Sequence, residues 1–224
     1  ALFNDEVDFD KDWLEDARRY YSNIVGKYGT QVQAALKKLS GLDIATICPL
    51  HGPVWRSDLG YLLGKYDLWS RYEPEDKAVA ICYASMYGNT ENAANLLANG
   101  LAEAGVKNIA VYDVSSTHVS TLISEVFRCS HIVLACPTYN NSIYPAMYNF
   151  IHDMEALLVQ NRTVGIIQNG TWNPASGKLI QAELESMKNI TLLEPVVTVK
   201  SSLKEDSKAQ LDALKDAIVE SLKG

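Results

Sequence analysis

Ser85, Gly88, Asn89 and Thr90 fall within one short stretch, Tyr83-Ala84-Ser85-Met86-Tyr87-Gly88-Asn89-Thr90-Glu91. Its two hydroxyls can donate to an anion, and its glycine lets the backbone turn tightly around one. The apolar run 78–83 enters the stretch as a strand, and the Ala- and Leu-rich run 90–104 leaves it as a helix. A helix N-terminus carries unpaired N–H groups and the positive end of the dipole, so the stretch suits a phosphate. It contains neither Gly-Lys-Ser/Thr nor G-x-G-x-x-G, and no lysine or arginine occurs between Lys77 and Lys107. Neutral donors suit one terminal phosphate better than a triphosphate with magnesium. The competing reading is an ordinary strand-to-helix turn with a Ser/Thr cap.

Two further stretches share this chemistry. Cys136-Pro137-Thr138-Tyr139-Asn140-Asn141-Ser142-Ile143-Tyr144-Pro145 and Asn169-Gly170-Thr171-Trp172-Asn173-Pro174 each combine small polar groups with a large aromatic, Tyr139 or Trp172. Aromatics beside a phosphate turn can cover the faces of a planar ring, and backbone groups can read its edge. Both stretches follow expected strands.

From Ala78 onward, strands expected at 78–83, 109–112, 131–135, 163–168 and 195–199 alternate with helices expected at 90–104, 119–128, 146–158, 176–187 and 207–222. That alternation predicts an α/β fold, a five-stranded parallel sheet with helices on both faces. Ligands of such sheets bind beyond the carboxyl ends of the strands, where strand order reverses. The three polar stretches stand at three such ends.

Residues 1–76 read differently. Trp13, Ala17, Tyr20, Tyr21 and Ile24 recur at helical spacing, and Gly26 and Gly29 are expected to break that helix. A second helix is expected at 31–39 with Thr30 as its cap, a short buried strand at 43–48, and a third helix at 57–69. The polar stretch Tyr72-Glu73-Pro74-Glu75-Asp76-Lys77 is expected to be a linker between two domains, 1–76 and 77–224.

Composition narrows the function classes. With 47% hydrophobic and 21% charged residues the chain has the make-up of a soluble globular protein. A net charge of −7 disfavours nucleic acid or an anionic membrane as partner. Cys48, Cys82, Cys129 and Cys136 form no C-x-x-C pair, and the apolar settings of Cys82 and Cys136 predict buried thiols in a reducing, cytoplasmic compartment. The chain begins Ala1-Leu2-Phe3, which is compatible with a fragment or a processed product. His118, His131 and His152 are scattered and receive no role.

The three polar stretches resemble those of the flavodoxin family, with Ser85-x-x-Gly88-Asn89-Thr90 similar to its phosphate loop. The resemblance is closer to the C-terminal half of the flavodiiron proteins. Tyr83-Ala84-Ser85-Met86-Tyr87-Gly88-Asn89-Thr90 and Pro137-Thr138-Tyr139-Asn140 match motifs of that family's flavodoxin-like domain. The segments Leu2–Glu6, Ala17–Tyr21, His51-Gly52-Pro53-Val54-Trp55-Arg56 and Tyr66–Ser70 resemble the end of its metallo-β-lactamase-like domain.

The resemblance implies strand order 2-1-3-4-5. It also implies an FMN site formed by Ser85, Met86, Tyr87, Gly88, Asn89, Thr90, Pro137, Thr138, Tyr139, Asn140, Asn169, Gly170, Thr171 and Trp172. His51 matches the last histidine ligand of a di-iron centre, and the remaining ligands lie in a portion this chain lacks. A single imidazole cannot retain iron, so a metal at His51 is expected only if that portion is supplied.

As implied activity, FMN takes electrons from a rubredoxin-like donor and passes them to iron that reduces dioxygen to water or nitric oxide to nitrous oxide. The family pattern adds a head-to-tail dimer. The alternatives are a stand-alone flavodoxin-like carrier, a flavin-dependent quinone reductase and an interaction module without flavin.

Overall fold

The computed structural model describes all of residues 1–224. The N-terminal segment contains α1 (Phe9–Asp12) and α2 (Leu14–Tyr20), then a π-turn at 21–25 and a 3-10 turn at 26–28. Next come α3 (Gly29–Leu39) and α4 (Leu59–Ser70). The rest runs β1 (Asp76–Tyr83), α5 (Asn89–Glu103), β2 (Ile109–Asp113), α6 (Val119–Arg128), β3 (Cys129–Tyr139), β4 (Ser142–Ile143) and α7 (Pro145–Ala156). It ends with β5 (Arg162–Asn169), α8 (Ser176–Leu184), β6 (Ile190–Leu192), β7 (Val197–Val199) and α9 (Glu205–Lys223). No helix is long and apolar enough to cross a membrane.

The sheet order is β2-β1-β3-β5, and the last position is shared by two short strands. β6 pairs with Arg162–Val164 and β7 with Ile167–Asn169, both parallel to β5. The order is therefore the expected one with its fifth strand split. Leu193-Glu194-Pro195-Val196 interrupts it, and Pro195 has no N–H to give to the ladder. Pro195 and Val196, expected in the fifth strand, lie outside it.

Side-chain alternation assigns the two faces. Ala78, Ala80 and Cys82 of β1 enter one core with Leu122, Phe127 and Met147, under α6, α7 and α8. Val79 and Ile81 enter the other with Leu97, Leu101 and Leu214, under α5 and α9.

The N-terminal segment is fused to the first of these cores. Tyr21 and Trp69 are fully buried, with ring centroids 5.2 Å apart, and Phe127 packs beside Tyr21 at 6.5 Å. Each such burial contributes about 1.5–3 kcal/mol. A buried ion cluster lies alongside. Arg18 donates to Ser124 (3.1 Å), Glu75 (3.3 Å) and Glu125 (3.3 Å), and Arg128 donates to Glu125 (2.7 Å) and Asp76 (2.9 Å). Trp69 donates its indole N–H to Glu75 as well. Buried ion pairs roughly break even against desolvation, so apolar burial supplies most of the stability of this junction.

Three expectations for this segment are corrected. Tyr72–Lys77 is no free linker: Tyr72 is buried, the Glu75 side chain is 3% exposed, and Asp76 and Lys77 open β1. Residues 43–48 form no strand. Only Ile47 pairs, with Trp55, and it finds no further neighbour, so Asp43, Ala45, Thr46 and Cys48 stay exposed. Gly26 and Gly29 do not stop the helical path, because Gly26 begins the 3-10 turn and Gly29 begins α3. The Gly29 N–H donates to the Tyr72 hydroxyl at 3.3 Å.

His131 lies on β3, 5% exposed, with Nδ1 2.8 Å from Ser130 Oγ and Nε2 3.0 Å from Ser221 Oγ on α9. Burial, with nearby Lys77, pushes its pKa down to about 4. The unfolded imidazole titrates near 6.5. As pH falls from 6.5 towards 4 the unfolded chain takes up a proton that the folded chain refuses, so stability present above 6.5 is lost through that window. A loss on the order of 2–3 kcal/mol is expected in denaturant titrations between these limits. His131→Gln, which can keep both hydroxyl partners, is expected to flatten the slope. An unchanged slope in the variant would assign it to another group.

Candidate functional site

The parallel ladder sets the site. Tyr83 pairs with Ala135 and Asp113, and Pro137 with Asn169, so β1, β3 and β5 deliver their following loops to one edge of the sheet. The Ala84 N–H still donates to Ala135 (2.8 Å), which fixes where the first loop departs.

From Ser85 to Glu91 no backbone N–H donates to a protein acceptor; the first bond of α5 is Asn92 N–H to the Gly88 carbonyl, 2.8 Å. Gly88 is the N-cap, with φ +81°, a left-handed conformation that favours glycine, and it has no side chain with which to cap the helix. The Ser85 Oγ is buried and has no partner. Thr90 is 2% exposed. An orphaned hydroxyl and open amides at a helix start form a cradle of a kind that can accept an anion. Met86, Tyr87 and Gly88 form its exposed crest, and Asn89 is half-buried at its side.

The second loop is a tight hairpin. Tyr139 pairs with Ser142 across Asn140 and Asn141, both at positive φ (50° and 57°). Asparagine tolerates this geometry, and such two-residue turns match strand twist. The Tyr139 ring is 5.8 Å from Tyr144, edge-on, and remains partly exposed. Pro137 is buried in the strand. Thr138 Oγ1 accepts from the N–H groups of Ala175 (2.9 Å) and Ser176 (3.1 Å), so it secures the start of α8.

In the third loop the Gly170 N–H donates to Val199 at 3.1 Å, and a Cβ on Gly170 would meet Pro174 Cα at 2.9 Å. Thr171 is exposed, and Trp172 is 96% exposed, a large ring with nothing packed on it. Thr138, Asn140, Asn141, Gly170, Thr171, Trp172 and Asn173 enclose a cleft of about 270 Å³. Asn169 is buried behind it, and its amide is engaged by Thr90 (3.3 Å) and by Ser201 (3.0 and 3.1 Å).

The fourteen residues expected to bind a cofactor thus lie on three adjoining loops, with two of them, Thr138 and Asn169, serving the frame. Three residues outside the expected set stand beside them: Asn141 and Asn173 line the cleft, and Ser201 holds the Asn169 amide from behind. The Asn-Asn turn is a local signal for Asn141, whereas Ser201 carries none.

His51 sits elsewhere. It is exposed, 5.2 Å from the Tyr20 ring, at an apolar hollow of about 430 Å³ lined by Trp13, Pro53, Trp55 and Tyr66 among others. The hollow shares no residue with the cleft. No group of three or more His, Cys, Asp or Glu side chains gathers there or elsewhere to hold a metal, so this chain's own residues do not fit an iron centre. The buried cysteines are also chemically quiet: burial pushes Cys129 up to about 12, Cys136 up to about 11, and Cys82 higher still.

Comparison with known proteins matches residues 81–213 to the flavodoxin family. An anaerobic nitric oxide reductase flavorubredoxin of Aeromonas hydrophila is 30% identical over 187 residues, covering 82% of this chain and 37% of that protein. A nitric oxide reductase of Moorella thermoacetica is 28% identical over 200 residues, covering 88% of this chain and 49% of that one. The solved rubredoxin oxygen:oxidoreductase of Desulfovibrio gigas superposes with a TM-score of 0.89 at 28% identity, over 99% of this chain and 55% of that chain. The chain therefore spans about half or less of the length of these proteins.

Proposed function

The chain belongs to the flavodoxin family, as a flavodiiron-type member, and from that premise we propose that residues 77–224 bind FMN and transfer electrons through it. The observation that carries this reading is the cradle: a buried, unpartnered Ser85 Oγ in a stretch, residues 85–91, whose backbone N–H groups donate to no protein acceptor. Ser85, Thr90 and the amides of residues 85–91 would hold the phosphate with neutral donors. Gly170 to Trp172 and the Tyr139–Asn140 turn would hold the ring in the cleft, where Tyr139 and Trp172 exclude water from its faces. Bound FMN supplies one- and two-electron chemistry; the protein binds, orients and tunes it.

Residues 1–76 are the C-terminal part of a metallo-β-lactamase-like domain under this proposal. The longer protein is a reductase of nitric oxide, dioxygen or both, fed by a rubredoxin-like donor and working as a head-to-tail dimer in the cytoplasm. His51 alone cannot hold iron, so within this chain the chemistry ends with the flavin's electrons. The cradle and the cleft lie wholly within residues 77–224, which favours a second reading, a stand-alone FMN carrier.

Flavin and iron analysis of the protein isolated from its source, at the length it has there, followed by nitric oxide and oxygen consumption with a reduced donor, separates the two. FMN near one per chain is expected under both. Iron with substrate consumption supports the reductase, and flavin alone supports the carrier. A colourless protein that does not take up added FMN would sink both.

Trp172→Ala is expected to shift the FMN midpoint potentials by tens of millivolts, since removing the ring admits water to one flavin face; roughly 30 mV corresponds to 1.4 kcal/mol for a two-electron couple. Potentials equal to wild type in a spectroelectrochemical titration would remove Trp172 from the ring site.

A further inference from the structure

We propose that Asn169 is a positioning residue that leaves the Thr90 hydroxyl proton free for the phosphate. The proposal rests on the FMN reading above and concerns how the cradle is prepared for it. Asn169 ends β5 and is 6% exposed. Its Oδ1 accepts from the Ser201 N–H at 3.1 Å, and its Nδ2 donates to the Ser201 carbonyl at 3.0 Å. A backbone N–H can only donate and a carbonyl can only accept, so Ser201 fixes which end of the amide is nitrogen.

The second proton of Nδ2 then goes to Thr90 Oγ1, 3.3 Å away. Thr90 Oγ1 is therefore an acceptor in that bond, and the hydroxyl's own proton is uncommitted. Thr90 is 2% exposed and donates to no protein group. A buried hydroxyl donor inside the first turn of α5 thus remains uncommitted, in the same stretch as the open amides of residues 85–91. Asn169 also ties three segments together: the start of α5, the end of β5 and the loop after β7, where Ser201 is held at φ +68°. The loop after β7 therefore communicates with the phosphate cradle without touching it.

Riboflavin, which has the ring but no phosphate, separates positioning from general stability. Dissociation constants for FMN and riboflavin are measured on the full chain, and their ratio is compared among variants. Asn169→Leu is expected to reduce the preference for FMN over riboflavin roughly tenfold, and to reduce it no further in a Thr90→Val background. A merely structural role would weaken both ligands alike and leave the ratio at its wild-type value, which would overturn the proposal. So would an additional, independent loss of preference in the double variant. Should Asn169→Leu fail to fold, Asn169→Ser, too short to span Ser201 and Thr90 together, carries the same expectation. A wild-type protein that binds riboflavin as tightly as FMN would instead overturn the FMN reading itself.

Discussion

Arg162→Met is expected to lower the unfolding free energy by about 3–5 kcal/mol, a large part of the 5–15 kcal/mol available to a typical domain. Arg162 opens β5 and is 2% exposed. Its Nε donates to the Val126 carbonyl at 2.8 Å and its Nη2 to Phe127 at 2.9 Å, two acceptors in the last turn of α6. Its Nη1 serves Tyr72 (2.7 Å), Gln160 (2.8 Å) and Asn161 (3.1 Å). All of these partners are carbonyls. Burial pushes the guanidinium pKa down to about 10, which still leaves it charged at neutral pH. The negative end of the α6 dipole offsets part of the cost of burying that charge.

Methionine would fill similar space while orphaning carbonyls on α6, on the Tyr72 junction and on the turn before β5. Each costs about 1–3 kcal/mol when left dry, and water entry recovers part of the sum. Arg162→Lys keeps the charge but not the planar fork, so an intermediate loss is expected. In thermal melts the methionine variant should fall by about 10 °C. A fall within the range of ordinary surface substitutions would mean that these carbonyls find other donors.

Arg162 also marks what the sequence does not disclose. An arginine at the head of an apolar run reads as a strand boundary, and nothing local announces that it is buried. The same holds for Glu75 and Asp76, whose partners Arg18 and Arg128 are 57 and 52 residues away; without them the stretch reads as a polar linker. By contrast α6 has the bounds expected of it, because Leu122, Ile123, Val126 and Phe127 form an apolar face; the cap that His118 makes on the Ser120 N–H is visible only in the structure. The cradle was legible for a related reason: Ser85, Gly88 and Thr90 are neighbours in the chain and act on one helix start. The Asn169–Ser201 link, by contrast, joins residues 32 apart, and the split fifth strand depends on which half of β5 each short strand meets. Local chemistry was readable, and pairing across the sheet was not.

Ser85→Ala is expected to have opposite effects on stability and on binding. Without ligand, the Ser85 Oγ is buried and unpaired, so the fold carries the cost of desolvating it. Removing it should leave the ligand-free protein as stable as wild type or more so, by up to about 1 kcal/mol. With FMN present the sign reverses, because the lost bond to a phosphate oxygen is charge-assisted and worth about 1.5–3 kcal/mol, or roughly 10- to 100-fold in Kd. Thr90→Val should add a similar loss, although it also deprives Asn169 of an acceptor and so should not stabilise the ligand-free protein. If both hydroxyls hold the phosphate, the double variant should bind FMN about 10²- to 10⁴-fold more weakly while riboflavin affinity stays near wild type. Paired measurements, a melt without ligand and a titration with each flavin, test the reversal directly. A Ser85→Ala variant that lost stability and kept its FMN affinity would make the hydroxyl part of the fold and not of the cradle. A gain in stability together with a loss of FMN would identify a group kept at a cost to the fold because the phosphate requires it.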